Sequence, residues 1–157
     1  MPSRTMLALI VQVAALVLVS TALHGAATAF LVGLVVRLGA HTPSGHTLFI
    51  RVFSVPVIVL FLLFVGVAEA GLWACYYWQT GYIAQFSESL YFSLITMTTV
   101  GYGDITLQGP GRLISGIQAA LGIVLFGWTT SVIFSAVQTL QRVYLATQRP
   151  PVGLATK

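Results

Sequence analysis

The chain has 157 residues, of which 57% are hydrophobic and 6% charged, and its mean hydropathy is +0.95. This composition excludes an ordinary soluble domain and implies a membrane protein with room for three or four spans. The net charge of +4 is that of seven scattered cations, Arg4, Arg37, Arg51, Arg112, Arg142, Arg149 and Lys157, less three acids, so the basic stripe of a nucleic-acid surface is excluded too.

The first apolar run extends from Met6 to about Ala40 and is read as one long, tilted transmembrane helix. Two other readings compete with it. One is a hairpin of short helices broken near His24-Gly25, each half below the ~20 residues a span needs. The other is a signal peptide ending near Ala27-Thr28-Ala29, against which apolar sequence continues to Leu38. A polar patch with His41, Pro43, Ser44, Gly45 and His46 then reads as a loop.

The second run, Leu48 to Trp78, ends in an aromatic cluster of Trp73, Tyr76, Tyr77, Trp78 and Tyr82, as a helix does where it meets lipid head groups. Cys75, the one cysteine, lies inside that cluster and reads as an inert packing thiol. Glu69 is the one acid inside a span. An intramembrane carboxylate is costly and needs a partner, and the pore helix described next, of its own or a neighbouring chain, is the expected one. His24, His41 and His46 read as bland rather than pH-sensing, and no metal cluster is expected from them.

Between Gln79 and Arg112 the one apolar stretch, Leu90 to Met97, is too short to cross a bilayer. Ser87 is the expected N-cap and Glu88 lies in the first turn, where a carboxylate suits the helix dipole. A helix from there to Thr98 would be roughly 18 Å long, enough to dip in about half-way. The chain then returns through Thr98-Thr99-Val100-Gly101-Tyr102-Gly103-Asp104. Non-helical backbone at membrane depth is tolerated only where protein surrounds it or a polar pathway runs beside it, so this segment implies a pore. Carbonyls that all point to one side require alternating backbone handedness, which Gly101 and Gly103 permit. Those carbonyls and the Thr99 hydroxyl are oxygen ligands able to replace water around a bare cation. One loop cannot encircle an ion, so several chains must meet on an axis, and four fit.

The third run, Leu113 to Leu140, has 28 residues, or ~42 Å of helix, ample for a span. Gly116, Ala119, Ala120, Gly122, Gly127, Ser131, Ser135 and Ala136 give it a set of small helix-packing positions.

The heptapeptide at 98–104 resembles the selectivity-filter signature of potassium channels, which hold K⁺ with backbone carbonyls of four such loops; the selectivity is taken from that family. Tyr91-Phe92 stand where the family often has two tryptophans, and Gly111-Arg112-Leu113 with Gly122-Ile123-Val124-Leu125-Phe126-Gly127 resemble the inner helix of simple bacterial members. The resemblance implies an all-α homotetramer: an N-terminal segment and loop (1–47), a pore domain (48–141) and a short cytoplasmic tail (142–157). Within the pore domain it implies an outer helix at 48–78, a pore helix at 87–98, a filter at 99–103 and an inner helix at 113–141. It implies K⁺ held at Thr99, Val100, Gly101 and Tyr102, with Gly103 completing the filter. Thr98, Asp104, Tyr91, Phe92 and Glu69 would support it. Gly122 falls on the family's gating hinge, while Thr130 and Phe134 face the cavity and its inner mouth, where a ring can dewet the pore. The partially negative C-terminal end of the pore helix would favour a cation in the cavity.

Two departures stand out. Ile105-Thr106-Leu107 lacks the proline of many relatives, and Ile95 replaces a glutamate that in some braces the filter aspartate. The family arrangement places the filter outside, which leaves five cations inside and Arg4 and Arg112 outside, close to the positive-inside rule. The expectation is a multi-pass protein of the bacterial inner membrane that conducts K⁺ passively, with itself, K⁺ and lipid as partners and no cofactor beyond the permeant ion. A weakly selective cation channel and a non-conducting structural or regulatory subunit are the rival readings. No segment carries arginines at every third position, so no voltage sensor is expected. An enzyme is not, because no nucleophile, base and orienting residue occur together.

Overall fold

The computed structural model describes residues 3–40 and 47–147, and within them the chain forms four helices and no strand. They are α1 (Ser3–Ala40), α2 (Thr47–Gln79), α3 (Phe86–Met97) and α4 (Pro110–Thr147). Three of them contain stretches long and apolar enough to cross a membrane, Met6–Arg37, Val55–Gln79 and Pro110–Thr139, while α3 has only 12 residues. The multi-pass membrane reading follows from these lengths.

Helix α1 is continuous for 38 residues, so the hairpin broken at His24-Gly25 does not form. The polar patch at 41–46 lies outside the described residues. Helix α4 begins at Pro110, where a missing N–H costs nothing, and runs for 38 residues. It therefore starts before and ends after the expected 113–141, and residues 142–147 belong to it instead of to the tail. The helical pattern simply continues through Gln141-Arg142-Val143-Tyr144-Leu145 without a breaker.

Antiparallel packing of α2 on α1 and on α4 gives three stacked apolar clusters. At the end that carries α3, Val13, Trp73, Tyr77, Phe92, Leu107 and Ile114 pack together. Ala70, Met97 and Leu125 form the middle, and Leu31, Ile58 and Leu62 the far end. Trp73 and Tyr77 are fully buried, which corrects the head-group reading for those two: their polar tips find partners inside the protein instead of at a wet surface. Trp73 Nε1 donates to Ser20 Oγ at 3.1 Å, and Tyr77 Oη to Gln118 Oε1 at 2.9 Å. Trp78 stays exposed, its ring edge-on to Phe86, and Cys75 is a half-buried free thiol.

Candidate functional site

Helix α3 is wedged between α2 and α4, and polar contacts fix its depth. Ser93 Oγ donates to the Ala70 carbonyl of α2 at 2.6 Å, and Gln118 Nε2 of α4 reaches Ser93 Oγ at 2.6 Å. With Tyr77 on the other end of the Gln118 amide, one buried chain of hydrogen bonds joins three helices. Phe92 adds an edge-to-face contact with Tyr77, ring centroids 5.2 Å apart. Helix α4 approaches the last turn of α3 so closely at Gly122 that a Cβ there would overlap the Met97 carbonyl. Gly122 is therefore a packing glycine first.

The start of α3 corrects one expectation. Gln85, in extended conformation, occupies the N-cap position without a side-chain cap, and Ser87 sits inside the first turn beside Glu88. Ser89 satisfies its hydroxyl on the Gln85 carbonyl at 3.0 Å. A capping oxygen is less needed where Glu88 already complements the dipole.

At the other end Thr98 is the C-cap, its hydroxyl on the Leu94 carbonyl at 2.7 Å. The backbone then alternates: Thr99, Gly101 and Gly103 have φ of 61°, 49° and 81°. Thr99 is the one non-glycine residue in the left-handed region among those described, a strained conformation held by Thr99 N–H donating to the Thr96 carbonyl at 3.0 Å. Gly101 N–H donates to the Ile95 carbonyl at 3.1 Å, so the return strand hangs from the end of α3. Behind it lies a space of about 260 Å³, bordered by Ile95, Gly101, Gly103 and Arg112.

Asp104 has a brace that the sequence comparison did not foresee. Tyr91 Oη donates to its Oδ2 at 2.7 Å, so the aromatic on α3 does what Ile95 cannot. That hydrogen bond lowers the Asp104 pKa from the ordinary carboxylate value and raises that of Tyr91.

One face of this assembly is uncovered. Val100, Tyr102 at 74% exposure and Phe134 at 63% are bare in the single chain, as are Thr130, Gly116, Ala120, Gly127, Ser131 and Ser135. Of the small residues on α4, Gly111 and Gly122 are buried within the chain.

Glu69 is 0% exposed and its partner is His24 of α1, not the pore helix: Oε1 lies 3.0 Å from His24 Nδ1. His24 Nε2 in turn lies 3.3 Å from Thr129 Oγ1 of α4. Spacing along the chain could not reveal a pair 45 residues apart. The usable signal was depth, since both are polar residues near the middle of their apolar runs.

A short helix tied into two long ones and followed by a handed-alternating return is the anatomy of an ion-channel pore. A family model described as an ion channel matches residues 60–139. The chain belongs to that two-transmembrane ion-channel family, which includes potassium-channel pore domains. It is also similar to Protein LctB of Geobacillus stearothermophilus, 42% identical over 43 residues, or 27% of this chain and 32% of that protein. The chain thus matches about a third of that relative's length. No solved structure matches.

Proposed function

We propose that this ion channel is a homotetramer that conducts K⁺ selectively and passively down its electrochemical gradient. The observation that carries the reading is positive φ at alternate residues Thr99, Gly101 and Gly103, in a segment with the family's filter sequence. Alternation turns successive carbonyls to a common side, and four such strands around an axis would enclose a column of dehydrated cations. In this arrangement the carbonyls of Thr99, Val100, Gly101 and Tyr102, with the Thr99 hydroxyl, hold K⁺. Thr130 and Phe134 line the cavity and inner mouth. Gly122 allows α4 to bend there as well as to pack. The uncovered faces of the filter and of α4 support contact with neighbouring copies, and the apolar outer faces of α1 and α2 meet lipid.

The test is the reversal potential of the purified protein in a planar bilayer with K⁺ on one side and Na⁺ on the other. A reversal strongly favouring K⁺, lost in Gly101→Ala, is expected, since alanine at a left-handed position costs roughly 1–2 kcal/mol in each chain. A reversal near zero would reduce the reading to an unselective cation pore. Absence of current together with crosslinked species smaller than a tetramer would favour a non-conducting subunit.

A further inference from the structure

We infer that His24 is a positioning residue for the pore: with Glu69 and Thr129 it forms a proton-dependent link that holds α4 against the first helix. The inference rests on the pore reading of α3, the filter and α4.

The link joins three spans through one imidazole. Nδ1 meets Glu69 Oε1 of α2 at 3.0 Å and Nε2 meets Thr129 Oγ1 of α4 at 3.3 Å, while the Trp128 ring packs edge-on at 5.4 Å between centroids. The same ring lies beside Gly25, where a Cβ would sit 3.6 Å from it, in ordinary contact. His24 and Glu69 form an ion pair and are 2% and 0% exposed. Glu69 Oε2 is the one buried side-chain polar atom among the described residues without a partner. Both residues border a cavity of about 210 Å³ that reaches Leu94, Met97 and Thr98 at the base of the filter.

Such surroundings favour the pair as a net-neutral unit, with one proton shared along the hydrogen bond, because an unpaired charge at membrane depth is expensive. Among the described residues, no other acidic or basic side chain lines this cavity. The groups facing the pair are Thr129 and Trp128 from α4, and Leu94, Met97 and Thr98 across the cavity from α3; among the described residues of α2 that line the cavity, Glu69 is the titratable one. A further proton at low pH leaves an imidazolium without its counter-charge, which only water can then solvate; water enters the adjoining cavity when α4 moves off His24, and the contact to Thr129 loosens.

The mechanical consequence follows from helix geometry. Phe134 is five residues beyond Thr129, about 140° around α4, on the uncovered face. Holding Thr129 against α1 therefore draws α4 away from the side that carries Phe134. Releasing it lets α4 lean toward that side and narrow the inner mouth.

The experiment compares the wild type with His24→Gln, which keeps a hydrogen-bonding side chain but does not titrate, and with His24→Leu, which breaks the link. K⁺ flux into liposomes is followed against pH, and Trp128 emission is followed in lipid nanodiscs as the difference from Trp128→Phe. Expected, at pH values above the range in which carboxylates titrate, are a several-fold fall in wild-type flux on acidification, a flat profile in His24→Gln, and a several-fold lower flux at neutral pH in His24→Leu. The Trp128 emission should change with pH in the wild type and not in His24→Gln. A His24→Gln protein that keeps the wild-type pH profile overturns the inference, as does a Trp128 signal that ignores pH. If His24→Leu fails to assemble, the glutamine variant decides alone. A wild type that passes no ion, but whose Trp128 emission titrates through His24, would sink the conduction reading and leave the link standing.

Discussion

Asp104 and Tyr91 are both exposed, yet a 2.7 Å hydrogen bond joins them. That bond favours the charged carboxylate and places its pKa below the usual range. A depressed pKa means that the contact helps the filter at pH values above the ordinary carboxylate range, and that its help disappears as pH falls through the lowered value. Acid on the filter side should therefore inhibit K⁺ current with a midpoint below that of an ordinary carboxylate, and Tyr91→Phe should move the midpoint upward. An unchanged midpoint in a pH titration of current would show that this bond does not set the titration. At this scale the heptapeptide was legible because its residue types are dictated by backbone handedness. Tyr91 was legible as a position, but its hydroxyl's partner was not, since a bond across 13 residues depends on how far α3 tilts. Thr99 went unnoticed as a strained residue because nothing in a threonine announces positive φ.

Among the elements, α3 and α4 would carry the proposed pore, and their mutual position rests on Gln118 and Gly122. Replacing Gln118 by leucine removes the acceptor of Tyr77 and one partner of Ser93, leaving buried hydroxyls wanting at roughly 1–3 kcal/mol. Thermal unfolding in detergent should register that loss, and a midpoint equal to wild type would argue that the polar chain is ornamental. Gly122→Ala should cost a similar roughly 1–3 kcal/mol by pushing the end of α3 away from α4. Ion selectivity should weaken with it, which a bi-ionic reversal potential measures, whereas unaltered selectivity would mean that α4 yields and the filter stays. The runs of apolar sequence gave away the three long helices, and the short one was readable from its length. The extra turns of α4 were not, because charge and amide side chains at 141–142 look like an ending but are good helix formers.

For the molecule as a whole, the first helix is the element beyond a minimal pore, and its grip on the rest is polar at three depths. Gln12, Ser20 and His24 contact Tyr76, Trp73 and Glu69. A helix held this way packs as a wall of the protein. Its antiparallel course beside α2 places its N-terminal end beside the filter, the arrangement that leaves Arg4 on the filter side. Packing order was not legible from sequence, since an apolar helix offers no directional code for which neighbour it prefers. The bare Tyr102 and Val100 have a genetic consequence. If four copies share one filter, a chain carrying Gly101→Ala poisons every assembly it enters, and equal co-expression with wild type should leave roughly one assembly in sixteen untouched. Selective current should then drop far below half, whereas a drop to half would mean that each chain acts alone.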